Sequence, residues 1–276
     1  ATADALKNTY YTQPAIFTFE YSLANLLMSF GLTPDAFIGH SVGEFVAATL
    51  SGIFTLEEGL KLIAKRGELM RDLPGGSMLS VRLDESEITP YLNESVQLAA
   101  INAPGLCVVA GPTAKIKLFQ ESLEKQDIVC RFLHTSHAFH SSMMDPIVST
   151  YEDFVKTIEI KEAQVPIFST VKKGAHLSQA EYWSNHLRAT VRFSPCIEEL
   201  VEREDAIYLE IGPRNTLTSL SKKVFLDQGR KDLVSIQTGT DDPESEVPSL
   251  LKALGSLWLQ GIEVNPDLYY GGETPG

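Results

Sequence analysis

The stretch FIGHSVGEFVAA, residues 37–48, holds the clearest signal in the sequence. It places Ser41 between Gly39 and Gly43, after a short apolar run and before a helix-like one. A sharp turn from a strand into a helix lifts a serine out of the sheet, and its crowded backbone favours glycine on both sides. The N–H groups at the start of the following helix can hold negative charge. The pattern therefore predicts a nucleophilic serine at a strand–turn–helix elbow.

The composition is typical of one large folded domain, or of one domain that carries a smaller insert. The chain has 276 residues, of which 43% are hydrophobic. Its formal net charge of -13 argues against a nucleic-acid-binding surface, which would be basic. No apolar run approaches the ~20 residues that a membrane span requires. The three cysteines are widely spaced, so we expect a reduced, cytoplasmic setting.

Hydrophobic periodicity divides the chain into a main body and an insert. Residues 12–30, the strand that ends at Ser41 and the capped helix that begins at Thr55 predict alternating helices and strands. Between residues 76 and 136 the order becomes strand, helix, strand, strand, helix, strand. We therefore predict an α/β fold, in which a hydrolase-like parallel-sheet subdomain (1–75 and 137–240) carries an inserted ferredoxin-like βαββαβ subdomain (76–136).

A serine nucleophile needs a base, which is most often a histidine. The chain has six histidines: His40, His134, His137, His140, His176 and His186. His137 and His140 lie just past the insert, where the chain rejoins the main body, and a junction of two subdomains is the expected place for a pocket. Spacing alone does not choose between these two. For His134 and His176 we favour a partly buried ring with no catalytic role.

Two further residues have alternative interpretations. Arg66 is either an ordinary surface arginine, which sequence alone favours, or a bidentate clamp for a carboxylate. His186 either orients a catalytic histidine through its backbone carbonyl or simply packs. No cluster with metal-ligand spacing is visible, so we predict neither a metal nor a bound cofactor.

Seven segments, taken in order, resemble the malonyl-CoA:acyl-carrier-protein acyltransferases, and specifically the acyltransferase domains of modular polyketide synthases. They are TQPAIF, GHSVGE, KRGELM, INAPGLCVVAGP, SHAFHSSMMDP, YWSNHLRATVRF and EIGPRNTL, all between residues 12 and 220. A later segment, LLKALGSLWLQGIEVNPDLYY, resembles the linker that follows this domain in the large synthases. Residues 241–276 are accordingly assigned to a linker.

This resemblance implies a role for each residue of the site. Ser41 is the nucleophile that becomes acylated. His140 acts first as general base and then as general acid, in a Ser–His dyad without an acidic third member. The main-chain carbonyl of His186 holds His140 in place. Arg66 clamps the free carboxylate of the acyl group, and the backbone N–H of Val42 forms half of the oxyanion hole.

The resemblance also implies which acyl group is carried. In this family HAFH, here residues 137–140, goes with malonyl, whereas YASH goes with methylmalonyl. Phe139 would fill the space that an α-methyl group needs, although excluding one methyl gives only ~1–3 kcal/mol of selectivity. His137 and His40 complete the predicted substrate-binding set.

The implied reaction is transfer of a malonyl unit from malonyl-CoA to the phosphopantetheine thiol of an acyl carrier protein. Malonyl-CoA is then the substrate, the partner carries the phosphopantetheine, and a ketosynthase is the expected neighbouring domain. An acyl hydrolase or thioesterase of the same family is one alternative, but it would gain nothing from Arg66 if its acyl groups were neutral. An inactive structural domain of a synthase is the other alternative.

In one respect the chain departs from the family pattern. The family opens with a Gly-Gln-Gly-containing strand and loop that supplies the second oxyanion N–H group. We find no such segment before TQPAIF. We therefore expect the chain as given to lack one sheet strand and half of its oxyanion hole, and losing one such donor costs ~10²–10³ in rate.

Overall fold

Ten α-helices, four short 3-10 helices and nine strands are present in residues 5–203 and 206–265, the part of the chain that the computed structural model describes. The helices are α1 (Thr9–Ser29), α2 (Val42–Leu50), α3 (Leu56–Arg71), α4 (Glu85–Ile88), α5 (Thr113–Glu124), α6 (Asp145–Val155), α7 (Ala180–Asn185), α8 (Phe193–Arg203), α9 (Thr216–Asp227) and α10 (Glu246–Leu259). The strands are β1 (Phe37–Ile38), β2 (Ser77–Val81), β3 (Gln97–Ala103), β4 (Leu106–Gly111), β5 (Cys130–Phe132), β6 (Ile167–Phe168), β7 (Val191–Arg192), β8 (Ile207–Glu210) and β9 (Val234–Gln237).

The main body contains two pairs of parallel strands. β1 pairs with β6, so that Phe37 lies opposite Ile167, and β8 pairs with β9, so that Ile207 lies opposite Val234. Parallel neighbours need crossover connections, which the intervening helices provide. The predicted α/β class is confirmed. The described part of the predicted linker (241–265) contains helix α10, which packs on β9. Residues 266–276 of that linker lie outside the described residues.

The helices of the main body surround one apolar core. Phe17 of α1, Phe45 of α2, Leu62 of α3 and Trp183 of α7 are fully buried in it. Helix α3 begins at a capping box, in which the Thr55 hydroxyl accepts the backbone N–H three residues on. These contacts fix the direction of α3 relative to α2, and both helices carry residues of the site described below.

The insert has the predicted ferredoxin-like arrangement. Its strands form an antiparallel sheet in the order β5-β2-β4-β3, and α5 packs against it. Leu79, Val109, Ile116 and Leu123 are fully buried between the sheet and its helices. All four strands were predicted from the sequence.

The sheet of the insert does not end at the predicted boundary. β7 comes from the main body and pairs in parallel with β3, so that Ala100 lies opposite Val191. A second core lies across this junction, with Met78 and Ala100 from the insert and Val191 and Phe193 from the main body. A strand of two residues is too short to show a periodicity of its own, so the sequence did not predict it. The insert and the main body are therefore packed as one unit.

Each helix within residues 5–203 and 206–265 is too short or too polar to span a membrane. Cys107, Cys130 and Cys196 are all free thiols.

A buried glycine lets α3 approach its neighbours closely. A Cβ added at Gly59 would lie 2.4 Å from the Thr49 hydroxyl oxygen of α2 and 2.9 Å from the Phe17 ring of α1. The Thr49 hydroxyl is itself bonded to the Phe45 carbonyl, at 2.9 Å, so it is not free to move away. Gly255 of α10 makes a matched control, because a Cβ added there meets nothing within 4 Å.

We expect Gly59→Ala to lower the free energy of unfolding by about 1 kcal/mol. Overpacking a core costs ~1–3 kcal/mol, which exceeds the ~1 kcal/mol that alanine gains over glycine in a helix. Gly255→Ala should instead raise it by about 0.5–1 kcal/mol. Urea denaturation measures both, and equal effects of the two substitutions would contradict this packing explanation.

Candidate active site

Ser41 lies at the turn between β1 and α2, as the elbow pattern predicts. Its backbone has φ 54 and ψ -115, and α2 begins at the next residue, Val42. A positive φ is rare for a residue with a Cβ, and such strain is concentrated at functional sites. The turn places the serine hydroxyl at the amino end of α2.

The two glycines of the elbow have different roles. A Cβ added at Gly39 would lie 2.1 Å from the backbone nitrogen of Glu44, which is inside any allowed contact. A Cβ added at Gly43 would meet nothing closer than a Glu20 carboxylate oxygen at 3.7 Å. Neither glycine has a left-handed φ. Crowding therefore requires a glycine only at position 39, whereas the sequence pattern predicts such a requirement at both positions.

His140 lies within hydrogen-bonding distance of the serine. Ser41 Oγ is 2.8 Å from His140 Nε2, and His140 Nδ1 is 2.9 Å from the carbonyl oxygen of Ala189. A carbonyl can only accept, so Nδ1 carries the proton and Nε2 is left to accept the serine proton. Of the two histidines that spacing left open, His140 is the one that reaches Ser41.

The carbonyl that holds His140 belongs to Ala189, and the expectation that it belongs to His186 is wrong. Helical hydrogen bonding continues past the end of α7, since the Ala189 N–H donates to Asn185 at 3.0 Å. His186 lies inside this turn, whereas Ala189 ends it and presents its carbonyl to the His140 ring. The His186 ring itself is fully buried, with its centroid 6.0 Å from that of His140.

Arg66 is buried beside the serine, so the surface interpretation that the sequence favoured does not hold. Its side chain is 2% exposed, and its Nη2 lies 3.4 Å from Ser41 Oγ. Its Nη1 donates to the amide oxygen of Gln13, a neutral partner that the sequence analysis missed. Its Nε has no hydrogen-bond partner, and no carboxylate of the described residues lies within ion-pair distance. The site therefore holds a buried cation that lacks a counter-charge.

Burial sets the charge states of these two groups. It lowers the pKa of Arg66 to about 10, so the guanidinium stays protonated at neutral pH. It also lowers the pKa of His140 well below its usual value, and the nearby His186, Arg66 and His40 lower it further. His140 is therefore a neutral base at neutral pH.

The other predicted histidines of the site are already engaged within the protein. His40 Nε2 lies 2.9 Å from the amide oxygen of Asn102 on β3, which joins the elbow to the insert. His137 Nδ1 lies 2.7 Å from the Ser136 hydroxyl, and its Nε2 lies 3.2 Å from the Leu73 carbonyl. With both ring nitrogens in use, His137 anchors the junction of the subdomains and has none left for a substrate.

Val42 and Phe139 are both half-buried. Val42 packs against the core of the main body, and Phe139 packs against that core and the core at the junction. Phe139 is thus held from both sides, directly before His140 in the chain.

Sequence reasoning had no role for Glu44, whose side chain is 0% exposed. Its carboxylate accepts hydrogen bonds from Thr170 and from the hydroxyl of Tyr182. The available signal was its place in the first turn of the helix after the serine. Among residues 5–203 and 206–265, no group of three histidine, cysteine or acidic side chains is placed to hold a metal ion.

Comparisons with known proteins agree with one another. A family model described as "Acyl transferase domain" matches residues 1–263. A phenolphthiocerol/phthiocerol polyketide synthase of Mycobacterium tuberculosis is 33% identical over 269 residues, which cover 96% of this chain and 18% of that protein. The chain therefore spans under a fifth of this curated relative.

Two solved structures have the same fold as this chain. The acyltransferase domain from the second module of the salinomycin polyketide synthase is 32% identical, with a TM-score of 0.92, over 98% of this chain and 65% of that one. The malonyl-CoA:ACP transacylase of Synechocystis sp. PCC 6803 is 27% identical, with a TM-score of 0.79, over 91% of this chain and 84% of that one.

We expect Gly39→Ala to slow modification of Ser41 by about 100-fold, because the added methyl must push the serine away from His140. Gly43→Ala should change the rate by less than about threefold, since its Cβ makes only an ordinary van der Waals contact, 3.7 Å from a Glu20 carboxylate oxygen. A fluorophosphonate that labels activated serines, read by intact-protein mass spectrometry, measures both rates. Normal labelling of the Gly39→Ala protein would refute the steric requirement.

Proposed function

Because the chain belongs to the acyl transferase domain family, whose relatives named above are parts of polyketide synthases or a transacylase, we propose that it carries malonyl units. It takes the malonyl group from malonyl-CoA and passes it to the phosphopantetheine thiol of an acyl carrier protein. The carrier protein and a neighbouring ketosynthase are part of this proposal.

The observation that carries the proposal is the uncompensated guanidinium of Arg66 beside Ser41. A buried charge is costly unless it is paired, so the site favours a substrate that brings a carboxylate. Guanidinium and carboxylate can form two parallel hydrogen bonds, and Arg66 Nε still has a donor free. The malonyl group has such a carboxylate, whereas acetyl and other neutral acyl groups have none.

In the first half of the reaction the malonyl group moves to the enzyme. His140 Nε2 takes the proton of Ser41 as its oxygen attacks the thioester carbonyl. The backbone N–H of Val42, at the start of α2, is the donor nearest to the developing oxyanion. When the carbon–sulfur bond breaks, the coenzyme A thiolate takes the proton from His140, which leaves malonyl-Ser41 and a neutral imidazole.

In the second half the same groups act in reverse. The phosphopantetheine thiol gives its proton to His140, and its sulfur attacks the malonyl ester. The ester bond breaks, Ser41 takes back the proton, and the malonyl thioester leaves on the carrier protein. The dyad thus returns to its starting state, and no metal or further cofactor takes part in these steps.

Malonyl is proposed over methylmalonyl because of Phe139. Its ring packs on two cores at once, so it cannot easily move aside for an added methyl group. A packing effect of this kind is worth ~1–3 kcal/mol, so some methylmalonyl transfer remains.

We expect malonyl-CoA to give a stable adduct on Ser41 that intact-protein mass spectrometry detects and that Ser41→Ala removes. Acetyl-CoA should load at least 100-fold more slowly, and methylmalonyl-CoA should load about 10-fold more slowly. Arg66→Leu should abolish the preference for malonyl over acetyl, since it removes the counter-charge.

Three outcomes would contradict the proposal. Equal loading of malonyl and acetyl in the wild type would exclude Arg66 as a carboxylate clamp. Release of coenzyme A without an adduct would indicate a hydrolase, and neither release nor adduct would indicate an inactive domain.

The lowered pKa of His140 predicts how Ser41 reactivity depends on pH. His140 should stay neutral below the usual histidine range, so fluorophosphonate labelling should be nearly flat from pH 8 to 6.5 and fall only at lower pH. Arg66→Leu removes a nearby positive charge and should raise the pKa of His140, which moves the fall to higher pH. The probe carries no carboxylate, so loss of substrate binding does not confuse the result. A fall centred near pH 6.5 in the wild type would contradict the lowered pKa.

A further inference from the structure

Among the described residues, Glu44 is the one buried acidic side chain, and Arg66 is the one buried lysine or arginine side chain. They are 0% and 2% exposed, and both lie near Ser41, since Glu44 follows it by three residues. Burying an ion costs several kcal/mol, so a buried charge needs partners or a use. In the proposed function the substrate carboxylate compensates Arg66, but no step uses Glu44.

Hydrogen bonds hold the Glu44 carboxylate in its ionised form. Its Oε2 lies 2.9 Å from the Thr170 hydroxyl and 3.2 Å from the Thr170 backbone nitrogen. Its Oε1 accepts from the Tyr182 hydroxyl. Burial by itself raises the pKa of Glu44, but His186 and the hydrogen bonds from Tyr182 and Thr170 outweigh it, so that the pKa lies below its usual value. The first turn of α2 favours the anion as well.

The ring of His186 lies between this carboxylate and the catalytic base. Its Nε2 is 3.6 Å from Glu44 Oε2, and its centroid is 6.0 Å from the His140 centroid. Phe45 and Trp183 pack around it, with centroids 5.2 Å and 6.2 Å away. Neither ring nitrogen has a hydrogen-bond partner in the described residues, and Glu44 is the one carboxylate among them within 4 Å.

We propose that Glu44 is a positioning residue for the Ser41–His140 dyad. Its fixed negative charge acts through the His186 ring and stabilises the positive charge that forms on His140. The inference rests on the proposed function, because His140 becomes positive only while Ser41 acts as a nucleophile. It gives the dyad an acidic partner that does not touch the catalytic histidine.

The charges around His140 explain why an anion is needed there. The titratable and charged side chains that face it are Ser41 and His40 of the elbow, Arg66 of α3 and His186 at the end of α7. None of these four is an anion in the resting site, and Arg66 is a cation. In general, at an effective dielectric constant of about 20, two unit charges about 10 Å apart change each other's ionisation equilibria by about tenfold.

Two substitutions separate the charge of Glu44 from its shape. Glu44→Gln keeps the shape and removes the charge, whereas Glu44→Asp keeps the charge and shortens the side chain. We expect Glu44→Gln to slow single-turnover acylation of Ser41 by malonyl-CoA about tenfold, with unchanged half-saturating malonyl-CoA, and Glu44→Asp to slow it less. The amide nitrogen in Glu44→Gln cannot accept the hydrogen bond from Thr170 or from Tyr182, so the free energy of unfolding is measured for both variants as well. A purely structural role would make the loss of rate follow the loss of stability in the two variants. That result, or a larger loss of rate in Glu44→Asp, would overturn the proposal.

Glu210→Gln is the matched control. Like Glu44, Glu210 accepts hydrogen bonds from the backbone, in its case from the N–H groups of Leu217 at 2.9 Å and Thr218 at 2.7 Å, but it makes no contact with Thr170, Tyr182 or His186. Its substitution should lower stability and leave the acylation rate within about twofold. An equal loss of rate in Glu210→Gln and Glu44→Gln would show that the effect is general destabilisation.

Two further measurements test the route through His186 and the dependence on the proposed function. If Glu44 acts through that ring, Glu44→Gln should slow acylation less in a His186→Phe protein than in the wild type, and full additivity of the two substitutions would refute the route.

Fluorophosphonate labelling of Ser41 repeats the comparison of the wild type, Glu44→Gln and Glu44→Asp without malonyl-CoA. If the wild type labels but is not acylated by malonyl-CoA, the proposed function fails, and the order of the labelling rates still decides the role of Glu44.

Discussion

The backward turn at Ser41 is the constraint on which the rest of the site depends. Its positive φ starts α2 directly after β1, and this geometry exists only because Gly39 leaves room for the helix backbone. The same turn places the serine hydroxyl at the amino end of α2 and places Glu44 one turn further, beneath the dyad. A single strained residue thus determines the position of the Ser41 hydroxyl, the start of α2 and the location of the buried Glu44 side chain.

Ser41 and His140 come from chain segments far apart in sequence, and contacts between the subdomains hold the two side chains together. Ser41 precedes the insert and His140 follows it. The backbone of Arg192 on β7 donates to the Thr170 carbonyl at 2.5 Å, and the Thr170 side chain reaches the elbow carbonyl of Gly39 at 3.0 Å. Thr170 therefore bonds both to the sheet of the insert, through Arg192, and to the elbow, through Gly39. These contacts hold the two subdomains together, so that Ser41 Oγ and His140 Nε2 remain 2.8 Å apart across the junction.

Local patterns in the sequence predicted the α/β class, the ferredoxin-like strand order and the elbow, because each rests on periodicity or on a short motif with one steric meaning. The same patterns could not choose between His137 and His140, since that choice depends on which ring the fold turns toward Ser41. They misplaced the carbonyl that holds His140 by three residues, because a helical turn continues past α7. They also missed Gln13, Thr170 and Glu44, whose roles come from contacts between residues that lie up to 138 positions apart.

The position of β7 determines where the chain can be cut to exchange the insert with that of a relative. A chimaera that exchanges residues 76–136 with a relative would cut the chain at the apparent limits of the insert, but would leave behind the strand that completes its sheet. The new β3 would then have to match a foreign β7 in register, with small side chains such as Ala100 at the shared core. A crossover placed after residue 193 would carry the whole sheet, together with the Ala189 carbonyl that sets the histidine tautomer, as one transplantable block.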